Sequence, residues 1–111
     1  MDDKIKKYLT DIQFAIEDIE LFLSQRPRKF DVFISDSMFK SAIERKIEII
    51  GEAMNRILKI HPEIAITSSR KIVNTRNYVI HSYDTLSNEI LWGIVINDLP
   101  LLKNEVNSLL K

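Results

Sequence analysis

Glycine and proline are scarce in this chain, with 2 and 3 respectively in 111 residues. These are the residues that most often punctuate a chain with turns, so the sequence has few places to reverse sharply and must run in long elements. The apolar residues recur every three or four positions rather than every two, which is the helical period, so the chain reads as all-α. Ile5, Leu9, Ile12, Ile16, Ile19 and Leu23 form one stripe, widened by Tyr8, Ala15 and Phe22, and predict a helix from about residue 2 to 24. Arg26-Pro27-Arg28-Lys29 interrupts the pattern as a basic loop. Asp31, Ser35 or Asp36 can cap a second helix through Met38, Ile43, Ile47, Ile50, Met54 and Leu58, ending near His61-Pro62. Thr67 or Ser68 can cap a third helix carrying Ile72, Val73, Val79 and Ile80. Ser87, with Glu89 behind it, can start a fourth through Leu91, Trp92, Val95 and Ile96, and Pro100 should kink or restart it. Four amphipathic helices on short loops predict an antiparallel four-helix bundle with a kinked or broken C-terminal helix, forming a single domain over residues 1–111.

Composition narrows the function. Sixteen Lys and Arg balance sixteen Asp and Glu, for a formal net charge of +0, which removes the long-range attraction that a general DNA or membrane binder needs. Any contact with nucleic acid has to be local. There is no cysteine, so disulfides, thiolate-zinc sites and cysteine nucleophiles are excluded, and a reducing cytoplasm is the compatible location. No apolar run approaches the roughly 20 residues of a membrane span, and the N-terminus lacks the apolar stretch of a signal peptide.

The informative stretch is Arg76-Asn77-Tyr78-Val79-Ile80-His81-Ser82-Tyr83. On a continuous helix of roughly 100° per residue, Arg76, Asn77, His81 and Tyr83 occupy less than half of the circumference. The same wheel sets Ile72, Val73 and Val79 close to Arg76, so the arginine is expected to emerge from an apolar stripe. A guanidinium placed there needs an anion, a partner or a crevice to offset its desolvation. Arginine offers a permanent planar donor array suited to phosphate, and histidine can give or take a proton near neutral pH. Together they suit phosphodiester chemistry. Structural alternatives stay open: a helix-end histidine held by the carbonyl dipole for His81, and a packed ring with an exposed hydroxyl for Tyr83.

The run RNYVIHSY, preceded by ERKIEIIGEAMNRIL and followed by EILWGIVINDLPLL, resembles the HepT-like branch of the HEPN (higher eukaryotes and prokaryotes nucleotide-binding) superfamily. The landmarks are Ile50-Gly51-Glu52-Ala53, Arg76-Asn77, His81-x-Tyr83, Leu91-Trp92 and Asp98-Leu99-Pro100, spanning the second helix to the end. The sequence differs from many relatives in having Ser68-Ser69 where they have a Pro-Trp pair. The resemblance implies a helical-bundle homodimer acting as a cytoplasmic toxin, a metal-independent endoribonuclease with RNA as substrate and no cofactor. It implies a companion antitoxin, a minimal nucleotidyltransferase, in a type VII-like toxin-antitoxin pair. It places Arg76 and His81 at the RNA-cleaving centre with Asn77 supporting them, and Tyr83 where the antitoxin attaches adenylate.

Two further residues fall near this constellation. Glu52 follows Gly51 and could face Arg76 to pair with it or tune it, Gly51 allowing close helix approach; Asp84 lies on the motif side if the third helix continues that far. His61 reads as a helix terminator, Arg26, Arg28 and Lys29 as a solvated loop with phosphate contacts as the alternative, and Trp92 as a core or interface anchor. The competing functional class is a catalytically silent HEPN subunit that binds a nucleotide or presents substrate to a nucleotidyltransferase.

Overall fold

The computed structural model describes residues 1–81 and 84–111, and among these every regular element is helical. The order is α1 (Asp3–Ser24), α2 (Phe30–Ser35), α3 (Ser37–Ile60), α4 (Ser69–Val73), α5 (Thr75–Ile80), α6 (Thr85–Gly93) and α7 (Leu99–Leu110), with a π-helical turn, Ile94–Asp98, fusing α6 to α7. The all-α bundle with a broken C-terminal helix is therefore what the chain forms.

Three long helices carry the frame. Asp2 caps α1 by accepting from the Lys4 and Ile5 amides, at 2.7 and 3.3 Å. Asp36, one of the three candidates, caps α3 through the Phe39 amide at 3.1 Å. Asp18 pairs with Lys46 at 2.8 Å while Tyr8, earlier in α1, lies beside Arg56, later in α3, so these two helices are antiparallel. Gln13 bonds Asn107 at 2.8 Å and Glu20 bonds Lys103 at 2.9 Å, so α1 is also antiparallel to α7. Leu9, Ile12, Ile16 and Ile19 of α1 meet Ile43, Ile50, Met54 and Ile57 of α3 and Leu102 and Val106 of α7 in the core. Each such side chain contributes about 1.5–3 kcal/mol by leaving water.

The short helix α2 has no counterpart in the sequence reading, which ran from the basic loop directly to a cap. It exists to deliver Phe33, fully buried, which stacks on Trp92 (centroids 5.1 Å, 29°) and meets Phe39 edge-on at 6.4 Å. Trp92 is thus a core anchor. Arg26 is drawn into the same corner, its Nε 2.7 Å from Asp36 Oδ2 and its guanidinium 5.1 Å from the Phe39 centroid, whereas Arg28 and Lys29 stay exposed.

The third helix differs most from expectation. It is split at Asn74, whose ψ of −6° departs from the helical value near −42°, and α5 stops at Ile80. Helix α6 starts at Thr85 with Asp84 as its cap, accepting from the Leu86 amide at 3.0 Å; Ser87, the expected cap, is buried within the first turn. Ser68 precedes α4 without a side-chain cap bond, and Thr67 is held by Glu105 through its amide (3.1 Å) and hydroxyl (2.7 Å). The Pro100 break is realised ahead of the proline itself. Pro100 has no N–H for the carbonyl four residues back, and the preceding turn widens so that the Leu99 amide reaches the Ile94 carbonyl, five residues back. No helix among the described residues is long and apolar enough to cross a membrane.

Candidate functional site

Gly51 sets the geometry of the site. It is buried in mid-α3, where a Cβ would stand 3.0 Å from Thr75 Oγ1 and 3.2 Å from the Ile72 carbonyl oxygen. The Thr75 hydroxyl, itself buried, donates to that carbonyl at 2.7 Å. The absence of a side chain at residue 51 thus lets the α4–α5 junction rest directly on α3, and a buried hydrogen bond closes the junction. Arg76 follows immediately and is held at a fixed place by its neighbour.

Arg76 and Asn77 emerge beside a groove of about 910 Å³. Val73 and Asn74 join them on one wall; Lys7, Tyr8 and Asp11 of α1 form another. The floor is α3, through Arg45, Glu48, Ile49, Glu52, Asn55 and Arg56, whose three- and four-residue spacing puts them on one helical face. Glu52 does share a groove with Arg76, but its Oε1 lies 3.0 Å from Arg56 Nε, the partner one turn away on its own helix. The Tyr8 hydroxyl and then the Glu52 carboxylate push the Arg56 pKa upward. Lys7 pairs with Asp11 at 2.9 Å. Arg45 and Arg76 have no ion-pair partner among the described residues, so each presents an uncommitted guanidinium to the groove.

Arg76 is exposed rather than set in an apolar stripe. The wheel assumed one continuous helix, and the break at Asn74 changes the angle between residues 72–73 and everything after them. His81 is exposed at the C-cap of α5, its amide donating to the Asn77 carbonyl at 3.3 Å, and it is not among the residues lining the groove. The Asp84 carboxylate is engaged as the α6 cap. Tyr83 lies outside the described residues. His61 caps the end of α3, as its position before Pro62 suggested. Among the described residues, no three His, Asp or Glu side chains gather into a metal-holding cluster.

Sequence reasoning missed Tyr8, Arg45 and Arg56 as groove residues. Tyr8 falls on the apolar stripe of α1 by spacing, although charged Lys7 and Asp11 stand near it in the sequence. The signal for the α3 floor lies in Arg45, Glu48, Glu52 and Arg56, a charged row at helical spacing on the face opposite Ile43, Ile47 and Ile50.

Fold and groove together define a helical-bundle protein with a polar, arginine-bearing cleft rather than an enclosed apolar cavity. The chain belongs to the ribonuclease HepT-like family, whose model matches residues 12–109. It is 38% identical over 110 residues to a Thermococcus cleftensis protein named "Probable ribonuclease HepT", with 96% of each chain covered. Two Methanocaldococcus jannaschii proteins carrying RNase designations are 32% and 29% identical; the alignments cover 92% and 96% of this chain and 93% and 88% of theirs. No solved structure matches the chain.

Proposed function

We propose that this chain is the toxin of a HEPN–nucleotidyltransferase pair, an endoribonuclease that cleaves RNA without a metal ion. Its membership of the HepT-like family supports the activity, and the observation that carries the site is Arg76, exposed in a polar groove without an ion-pair partner among the described residues. Cleavage moves the 2′-hydroxyl proton to a base while O2′ bonds to phosphorus; the 5′-oxygen then leaves with a proton from an acid, giving a 2′,3′-cyclic phosphate and a free 5′-hydroxyl. Arg76 stabilises the charge that accumulates on the phosphoryl oxygens, and His81 carries the proton, with Asn77 orienting it. One His cannot be base and acid in the same step. A homodimer with α4–α5 at its interface supplies a second His81 and a second Arg76 to a shared cleft. The partner nucleotidyltransferase silences the enzyme by adenylating Tyr83, adding bulk and negative charge beside Arg76. Location in the cytoplasm follows from this reading.

One observation favours a second reading. His81 lies outside the groove that holds Arg76 and Asn77, which suits a catalytically silent HEPN subunit that binds a nucleotide or presents substrate. Purified protein assayed on RNA in the presence of a chelator separates the two. The ribonuclease reading expects cleavage that Arg76→Ala and His81→Ala each reduce on the order of 10²-fold or more with the helical fold intact. Absence of cleavage by the wild type, or full activity of the alanine variants, rejects it.

A further inference from the structure

The groove is longer than the chemistry at Arg76 requires. Its α3 floor runs from Arg45 to Arg56, about 16 Å at 1.5 Å per residue, and Gly51 lies near the middle of that length. Arg76 follows the residue that abuts Gly51, so it joins the groove between the two ends.

The two ends differ chemically. At the Arg56 end the half-buried Tyr8 ring has its hydroxyl beside Arg56 and Lys7 Nζ 5.8 Å from its centroid. Both cations there are matched by carboxylates, Lys7 by Asp11 and Arg56 by Glu52, so what this end adds is an aromatic face with the Asn55 amide nearby. Lys7 is 70% exposed and free to swing aside when another ring takes its place. The opposite end holds the uncommitted guanidinium of Arg45.

An aromatic face at one end and, at the other, a cation with no ion-pair partner among the described residues, with a second such cation between them, match the alternating needs of a single nucleic-acid strand. Bases stack on side-chain rings, and phosphates need free donors. We propose that the groove is a track for single-stranded RNA, in which the scissile phosphate sits at Arg76, the base of one flanking nucleotide stacks on Tyr8, and a phosphate on the other flank is held by Arg45. The scissile position rests on the ribonuclease reading; the two flanking subsites rest on the groove alone.

The test is fluorescence anisotropy with a labelled 2′-O-methyl oligoribonucleotide, which lacks the attacking hydroxyl and so binds without being cleaved. Tyr8→Leu should weaken binding about 5- to 150-fold, the range given by loss of one base stack, and Tyr8→Phe should recover most of that loss by restoring the ring. Arg45→Gln, at an exposed position that does not threaten folding, should lower the slope of log Kd against log salt by about 0.7, the change expected for one phosphate contact on a single strand. On cleavable RNA, Tyr8→Leu should raise KM more than it lowers kcat. Binding within twofold of wild type for Tyr8→Leu at unchanged melting temperature, or an unchanged salt slope for Arg45→Gln, overturns the track. Cleavage that depends on Arg76 and His81 but ignores Tyr8 and Arg45 removes the track and keeps the ribonuclease. Oligonucleotide binding that depends on Tyr8 and Arg45, without cleavage of unmodified RNA, keeps the track and removes the ribonuclease.

Discussion

Gly51→Ala puts two opposing effects on one atom. Replacing a mid-helix glycine by alanine ordinarily stabilises a helix by about 1 kcal/mol, because alanine loses less backbone freedom on folding. Here the new methyl stands 3.0 Å from Thr75 Oγ1 and 3.2 Å from the Ile72 carbonyl oxygen, both closer than a comfortable contact. Neither neighbour can retreat alone, since the two are joined by a buried 2.7 Å hydrogen bond. Rotating the hydroxyl away leaves a buried polar group without its partner, at about 1–3 kcal/mol, and moving the whole junction is an overpacking change of similar size. The expected net effect is a loss of about 0–2 kcal/mol in urea denaturation with an unchanged m-value, together with reduced RNA cleavage because Arg76 moves with Thr75. The same substitution in a Thr75→Ala background meets only the carbonyl contact, so it should cost about 1 kcal/mol less there, and the coupling is read from the double-mutant cycle. A stabilisation by the full helix-propensity gain in both backgrounds, with cleavage unaffected, would refute the close-approach argument.

Other outcomes follow from single residues. Tyr83→Phe should gain no adenylate-sized mass when incubated with the partner nucleotidyltransferase and ATP, as read by intact-mass spectrometry; equal modification of this variant rejects Tyr83 as the acceptor. The Asp36 carboxyl is held below its ordinary value of 3.8, first by the Arg26 side chain and then by the Phe39 amide. Its stabilisation is therefore present above about pH 4 and lost as pH falls through the lower folded value. Asp36→Asn should be less stable than wild type at neutral pH and converge with it in acid. Burial pushes the Glu44 carboxyl above 4.5, and its Oε2 has no hydrogen-bond partner among the described residues. A raised carboxyl binds its proton more tightly when folded, so stability falls as pH rises from 4.5 through the folded value. Glu44→Gln should accordingly raise the melting temperature at pH 7, with the gain shrinking as pH falls towards 4.

The long helices were legible because each decision was local. Ile5 through Leu23 repeat at helical spacing, Asp36 is a capping residue in front of an apolar row, and Pro62 and Pro100 mark places where helical hydrogen bonding must change. The motif segment was less legible. Nothing in Ile72-Val73-Asn74-Thr75 forbids a continuous helix. The chain breaks there because Thr75 turns its hydroxyl back to Ile72 against a glycine 24 residues earlier, a contact between helices that no periodicity within residues 67–83 reports. The consequence reaches the candidate site: Arg76 lines the groove, yet its surroundings are polar and exposed rather than apolar. Likewise α2 is too short to show a period of its own, and only the Phe33–Trp92 stack explains it.

The π-helical turn at Ile94–Asp98 lets the chain carry one residue more between α6 and α7 without changing the face that α7 turns to the core. Each residue of a wide turn advances by less than the roughly 100° of an ordinary helix, so a single deletion inside it would close it into ordinary helix with α7 facing nearly as before, whereas a single deletion at Leu101, just outside it, would rotate the rest of α7 by roughly 100° about its own axis. Leu102 and Val106 would then swing out of the core, Glu105 away from Thr67 and Lys103 away from Glu20. A frame-preserving loss of one codon should therefore be accepted inside the wide turn and rejected just after it. Among descendants of such a sequence, single-residue changes of length should collect in this turn and be absent from α7.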